Sequence, residues 1–359
     1  VHPVAELAEL VDRYRLLAEG CTPPPVEEPS ETPAVVRHPD LDLADVLGQG
    51  EARLALEIAA AGAHHLYLVG PPGAGKSMLA ERLPGLLPQL DDAQALEVTA
   101  IASVLGTRTQ FETLDRRPPF VAPHHGASMP AIVGGGSGLV MPGAVTAAHT
   151  GVLFLDEAPE FKPNVIQALR QPIESGWVVV ARASGRYRFP CRFQLVLAAN
   201  PCPCGRADGK GATCTCTPMQ RRTYTSRLAG PILDRIDIQV HVSAPSRATL
   251  ALAAGEPTRT VAMRVAEARA AQAQRWKRHG MDVNARVPGS LLRSPAFRLP
   301  GRCTEALDRA IDRGVLSLRG YDRCLRLAWT VADLAGRGVP TSEDVGVALA
   351  LRHRQAAAA

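Results

Sequence analysis

The chain has 359 residues, enough for two or three domains of ordinary size. Hydrophobic residues make up 46% and charged residues 21%, the balance of a globular protein, and no apolar run reaches the roughly 18 to 20 residues that span a bilayer. A net charge of +5 is compatible with nucleic acid without requiring it, and eight cysteines in this length exclude a small disulfide scaffold.

Residues 4–19 predict a short helix. The opening "VHPVAELAELVDRYRLLAEG" is amphipathic and acidic and lacks the apolar centre of a secretory leader, and it carries no initiator Met. "CTPPPVEEPSETPAVVRHPD" is rich in Pro and Glu and reads as a linker. Residues 1–39 are therefore expected to be a helix and linker remnant of a longer chain. From residue 40, "GEARLALEIAAAGA" has helical spacing, "HHLYLVG" is a short apolar strand, and "KSMLAERLPGLL" is a helix after a Gly-rich turn. "GVLFLDE" and "FQLVLAAN" are further strands. The alternation predicts an α/β core with a parallel, doubly wound sheet over residues 40–246. Residues 247–359 turn to Ala- and Arg-rich helices and predict a second, all-helical domain.

"GPPGAGKS" fits G-x-x-x-x-G-K-[ST] between a strand and a helix. In that setting the turn Gly70, Pro71, Pro72, Gly73, Ala74 and Gly75 lets the backbone N–H groups of its non-proline residues curl around phosphates, at the positive end of a helix. Lys76 supplies a point charge to the β- and γ-phosphates, Ser77 offers its hydroxyl to Mg²⁺, and Met78 follows in the helix. "GVLFLDE" puts Asp156 and Glu157 at a strand's C-terminal end, where ligands bind in open α/β sheets. Asp156 suits Mg²⁺ through water, and Glu157 suits the orientation of an attacking water. Asn200 ends "LVLAAN" and is expected to hold that water or the γ-phosphate; a simple turn Asn is the alternative.

These stretches, with "RPPFVAPHHGASMPAIVGGG", "PGAVTAAHTGVLFLDEAPEF", "VIQALRQPIESG", "AANPCPCG", "LAGPILDRIDIQV" and "LSLRGYDRCLRLAWTVADLAG", resemble AAA+ ATPases of the magnesium-chelatase-like group. The resemblance is narrower still to the ComM competence family, and it covers most of residues 42–351. It implies a P-loop AAA+ core with a small all-helical C-terminal lid, assembled as a homo-oligomeric, six-membered ring that hydrolyses ATP with Mg²⁺. It also implies a cytoplasmic location, DNA as partner, and branch migration or helicase work during natural transformation. The resemblance also implies a Lon-like N-terminal domain, expected to be absent from these 359 residues. By the same resemblance Arg235 in "GPILDRID" is the arginine finger reaching the neighbour's γ-phosphate, though a local ion pair with Asp234 or Asp237 is the alternative. Arg319 in "LSLRGYDR" is the lid arginine contacting the nucleotide within one subunit. Val46, Gly48 and Gln49 lie beside the adenine. His124 and His125 sit in a resembling insert, read as a loop against DNA or a neighbour. "VVVARASGRYRFPCRFQ" predicts a hairpin whose Arg182, Arg186, Tyr187 and Arg188 suit phosphate contact and base stacking, or plain solvation. Ala144, the sequence "EAPEF" and Trp329 depart from the family pattern.

Cys202, Cys204, Cys214 and Cys216 form C-x-C-x₉-C-x-C. Four thiolates suffice for a tetrahedral structural Zn²⁺; disulfides and four independent thiols are the alternatives. Such a knot is expected to rigidify the stretch between Asn200 and Arg235. Lys210, Arg221 and Arg222 flank it and suit either DNA or solvent. Cys21, Cys191, Cys303 and Cys324 are scattered and read as inert thiols. Two functional readings stand: a DNA motor, or a chelatase-type ATPase that remodels a protein partner during Mg²⁺ insertion into a porphyrin. The cysteine cluster favours the first. A nucleotide-dependent scaffold is a third, disfavoured by the intact Lys76, Asp156 and Glu157.

Overall fold

Short stretches of two to six residues, most of them apolar, become strands in the computed structural model. They are β1 (Leu66–Val69), β2 (Phe120–Val121), β3 (Val152–Leu155), β4 (Trp177–Arg182), β5 (Gly185–Pro190), β6 (Gln194–Ala199) and β7 (Ile238–His241). The structure describes residues 15–20, 41–106, 114–136, 140–182, 185–207, 213–228, 230, 232–244, 249 and 254–353. Most of the expected N-terminal helix, the linker, the hairpin turn residues 183 and 184, the Arg182 side chain and Lys210 lie outside the described residues.

Five strands form one parallel sheet in the order β2-β3-β6-β1-β7. Leu66 lies opposite Val196 on one side and Ile238 on the other, and Val152 lies opposite Gln194. Side chains alternate across a pleated sheet, so each strand feeds two cores. Leu66, Leu68, Val196, Ala198, Ile238 and Val240 face one layer of helices. Tyr67, Leu153, Leu155, Leu195 and Leu197 face the other, where Phe161, Val165 and Leu169 pack. With so few aromatics, branched aliphatic side chains fill both layers. β4 and β5 stand apart as an antiparallel hairpin, Val180 opposite Tyr187, as the sequence predicts.

The helices follow their local signals. Among them are α1 (Gly50–Gly62), α2 (Lys76–Leu86), α3 (Asp92–Val104), α4 (Pro218–Ser226), α5 (Thr258–Trp276), α6 (Gly301–Asp312), α7 (Leu318–Leu334) and α8 (Ser342–His353). Thr217 caps α4 in a reciprocal box with Gln220, with Pro218 at the first helical position. Ser317 accepts from the Gly320 N–H and starts α7. The helices after residue 254 pack back on α1 and close the first core around Trp276. The longest apolar stretches are too short for a membrane: no helix among the described residues is long and apolar enough to cross one.

Residues 39–359 form one compact unit, and residues 1–38 another. Within the larger unit a buried polar chain joins the sheet to the C-terminal helices. His64 Nε2 is 2.8 Å from Thr330 Oγ1, and Asn284 donates to Thr330 Oγ1 and Asp333 Oδ2 at 3.0 and 2.9 Å. Trp276 Nε1 donates to Asn284 Oδ1 at 2.8 Å, and Arg275 pairs with Asp333. Polar groups this deep hold only when each finds a partner, so the network fixes the helices to the sheet in one register.

Candidate nucleotide site and cysteine knot

The Gly-rich turn after β1 enters α2 with Gly73 and Gly75 at φ +74° and +91°, a left-handed geometry that side chains resist. The turn leaves Lys76 folded back. Its Nζ donates to the carbonyls of Gly70 and Pro71 at 2.7 and 2.9 Å and to Asn200 Oδ1 at 3.1 Å. Asn200 is brought there because β6 runs parallel to β1 in direct contact, so both strands end together. Ser77 Oγ donates to Asp156 Oδ2 at 2.7 Å, and the other Asp156 oxygen accepts the Glu157 N–H at 2.8 Å. Gly70–Ser77, Asp156, Glu157 and Asn200 therefore converge at the C-terminal edge of the sheet. Met78 begins to turn outward and is exposed. Gln49 donates to the Ala74 carbonyl at 3.3 Å and to the Ser243 carbonyl at 2.6 Å, which brings the Val46–Gln49 segment against the same turn. Val46 is buried, and Gly48 has φ +65°.

The residues present fit MgATP. The turn offers backbone donors at a helix start, Lys76 has the charge, and a hydroxyl and a carboxylate already share one proton where a hard cation needs oxygen ligands.

Two contacts at this edge are absent from the sequence reading. His125 Nδ1 lies 3.3 Å from Glu157 Oε2, so the insert loop reaches the acid expected to orient water rather than only DNA or a neighbour. Glu157 itself sits at φ +49°, a costly backbone for a residue with a Cβ. The signal missed was spatial: β2 and β3 are adjacent and parallel, so the loop after β2 lands beside the residues after β3.

Arg235 and Arg319 lie elsewhere. Both belong to the N-terminal edge of the sheet, the far end of a four-residue strand about 13 Å long at ~3.3 Å per residue. Arg235 precedes β7, is buried, and pairs with Glu174 at 2.5 Å. Arg319 pairs with Asp234 at 3.1 Å, and Asp237 with Arg323 at 2.5 Å. Arg319 lines a cleft of ≈ 810 Å³ together with His65, Gly151 and Gln194, which all stand at strand beginnings. The structure places Arg319 at the edge away from the phosphate turn of its own chain. Its helix α7 is held at the N-terminal edge by the buried polar network, whereas the phosphate turn is at the other edge.

Buried charge in this cleft is tuned by its neighbours. Burial pushes the His65 imidazole down to about 4, and its Nδ1 accepts the Leu195 N–H at 3.0 Å. Burial acts to raise Asp237, but Arg323 and His64 more than offset it and hold the carboxyl well below the usual range.

The four cysteines meet. Their Sγ atoms all lie within 4.8 Å of one another, with Cys202 Sγ 3.4 Å from Cys204 and 3.6 Å from Cys214. Every cysteine among the described residues is a free thiol. Tetrahedral Zn²⁺ at ~2.3 Å Zn–S needs sulfurs roughly 3.8 Å apart, so the spacing and chemistry fit a divalent metal. The backbone N–H of Arg206, then the Cys202 side chain, hold the Cys204 thiol down to about 6, whereas at Cys214 and Cys216 the backbone hydrogen bonds are outweighed by burial and the neighbouring thiols, which raise Cys214 and push Cys216 up to about 11. Burial pushes Cys191 and Cys324 up to about 12, as inert thiols should be. The knot does not lie between Asn200 and Arg235 in space: it stays at the phosphate edge. On the β4–β5 hairpin Arg188 lies 3.8 Å over the Trp177 ring, and Arg186 is exposed.

The family model described as magnesium chelatase, subunit ChlI, matches residues 42–250, and that of the ChlI C-terminal part matches residues 255–352. An uncharacterized protein of Mycobacterium tuberculosis is 54% identical over 311 residues, 87% of this chain and 61% of that protein. The competence protein ComM of Haemophilus influenzae is 42% identical over 298 residues, 82% of this chain and 57% of its own length. The magnesium-chelatase 38 kDa subunit of Rhodobacter capsulatus is 25% identical over 329 residues, 86% of this chain and 85% of that subunit. The chain spans about three fifths of the length of the mycobacterial and ComM relatives. A parallel sheet with a phosphate-binding turn, an acid pair on the next strand but one and a helical C-terminal region, matched by these models over most of the chain, places it in the magnesium-chelatase ChlI family of AAA+ proteins.

Proposed function

We propose that the chain is the ATP-hydrolysing part of a ring-forming motor that acts on DNA, in branch migration or helicase work during natural transformation. The observation that carries the hydrolysis is the paired contact of Lys76 with Asn200 and of Ser77 with Asp156 at one sheet edge. Gly70–Gly75 and Lys76 hold the phosphates. Ser77 and Asp156 hold Mg²⁺, which supplies charge neutralisation between the β- and γ-phosphates. Glu157 takes the role of orienting the attacking water, and Asn200 fixes it or the γ-phosphate from the opposite strand. Val46, Gly48 and Gln49 form the base-side flank.

Arg235 and Arg319 serve the neighbouring subunit, since both stand at the edge away from their own phosphate turn. A homo-oligomeric ring, six-membered as in the family resemblance, satisfies that division. Engagement exchanges Glu174 for a phosphate as the partner of Arg235. Cys202, Cys204, Cys214 and Cys216 hold a structural Zn²⁺. A DNA partner fits the likeness to a competence protein and the side chains of Arg186, Tyr187 and Arg188 on the hairpin.

A second reading, remodelling of a protein partner, is favoured by the near full-length match to the magnesium-chelatase subunit. Hydrolysis measured with and without single-stranded and forked DNA separates the two, with Glu157→Gln as control. Strong stimulation lost in the control supports the motor. Hydrolysis indifferent to DNA supports the protein-remodelling reading.

A further inference from the structure

The cysteine knot touches the phosphate turn. Cys202 follows Asn200 by two residues and is fully buried. The Gly205 N–H donates to the Cys202 carbonyl at 2.9 Å, closing a tight turn around the first cysteine pair. Gly205 has φ +73°, and a Cβ there would lie 2.6 Å from both Cγ and Cδ of Pro72. Pro72 is a stiff ring within the phosphate turn, so it cannot yield as the end of a long side chain would. The same Cβ position is 4.0 Å from Cγ of Asn200, whose Oδ1 receives Lys76. On the other side of the knot, α4 places buried Tyr224 against the Asn200 backbone. Arg227, just past α4, donates to the Pro159 carbonyl and to Glu160 at 3.2 Å, in the turn that follows Glu157. The cysteine loop and the helix that follows it thus abut Pro72, Asn200 and the turn after the candidate water-orienting acid.

We propose that the metal state of the four-cysteine knot sets nucleotide affinity, with Gly205 as the positioning residue that transmits it to Pro72. The inference rests on the ATPase reading and deepens it. Four thiols drawn within 4.8 Å are held by a shared cation; without it the two Cys-x-Cys arms have no cross-link, and their seat on Pro72 loosens. Gly205 is required because its contact leaves no room for a side chain and its backbone is left-handed.

The test uses the full chain loaded with Zn²⁺, the same chain stripped by a thiol-competing chelator, and the variant Gly205→Ala. Metal content, circular dichroism and binding of a fluorescent ATP analogue with Mg²⁺ are read for each. The expected result is one metal per chain and affinity weakened about tenfold or more on stripping, restored when Zn²⁺ returns. Gly205→Ala keeps its metal and its fold yet binds the analogue about tenfold more weakly. Stripped, folded protein that binds as tightly as loaded protein overturns the proposal, as does Gly205→Ala with wild-type affinity. Should stripping unfold the chain, Gly205→Ala decides alone. Nucleotide binding by a chain that takes up no metal sinks this inference and leaves the ATPase reading standing. Loaded wild type that binds no nucleotide, scored against Lys76→Ala, sinks both.

Discussion

The ammonium of Lys76 donates to Oδ1 of Asn200 across 3.1 Å, joining the ends of two neighbouring parallel strands. An amide carbonyl there orients the lysine without cancelling its charge, and together with the Gly70 and Pro71 carbonyls it holds the ammonium at the phosphate turn. Asn200→Ala is expected to lower kcat on the order of a hundredfold, the usual effect of removing one positioned donor, while nucleotide affinity changes by only about threefold. Steady-state kinetics beside analogue titration checks the split. A loss confined to affinity would make Asn200 a binding residue only.

His125 engages the candidate water-orienting acid at 3.3 Å, with both side chains partly exposed. A carboxylate paired with an imidazole is drawn away from water. Exposed pairs are worth about 0 to 1 kcal/mol, so release is modest. His125→Ala is expected to raise the basal hydrolysis rate about two- to fivefold. A lower basal rate would mean that His125 supports Glu157 instead of restraining it.

Arg235 and Arg319 stand at the sheet edge opposite their own phosphate turn. If they act on the next subunit, Lys76→Ala and Arg235→Ala chains are each inactive alone but complement when mixed. A mixed ring then contains some sites with an intact Lys76 facing an intact Arg235. Loss of a trans arginine is expected to cost on the order of a thousandfold in rate. Mixtures no more active than the better single variant would place Arg235 in its own subunit's structure, as a partner of Glu174.

His65 carries a pH dependence. Burial holds its folded pKa near 4, below the ordinary 6.5, while the unfolded chain titrates normally. As pH falls from 6.5 the unfolded state takes up the proton first. The stability due to neutral His65 is therefore full above about pH 6.5 and is lost as pH approaches 4, by at most about 1.4 kcal/mol per pH unit. Asp237, Arg323, His64 and Arg286 face the ring, and Asp237 titrates below this window. His149, also held low by burial, adds in the same sense. His65→Gln keeps an acceptor for the Leu195 N–H. Its urea midpoint is expected to fall less between pH 7 and pH 4.5 than that of the wild type. Parallel slopes would remove His65 from the account.

The phosphate turn, the acid pair and the strand order of chemistry are legible in sequence because they are local. "GPPGAGKS" needs its glycines at neighbouring positions, and "GVLFLDE" needs apolar residues directly before Asp156. Asn200 was legible one step further, since a strand ending near a phosphate turn has few places to go. The spacing of the four cysteines pointed to a common site, and their Sγ atoms do converge.

What only the tertiary structure decided are the relations between segments far apart in the chain. Parallel pairing of β1 with β6 and β7 sets which strand ends meet, and so sends Asn200 to Lys76 but Arg235 to the far edge. The buried network through Thr330 and Asn284 fixes α7, and with it Arg319, away from the nucleotide of its own subunit. Gly205 reads in sequence as one more flexible loop glycine; its contact with Pro72 exists only once the knot folds back over the turn. Motifs state which groups the chemistry needs, while packing of strands and buried polar partners settles which of those groups can touch.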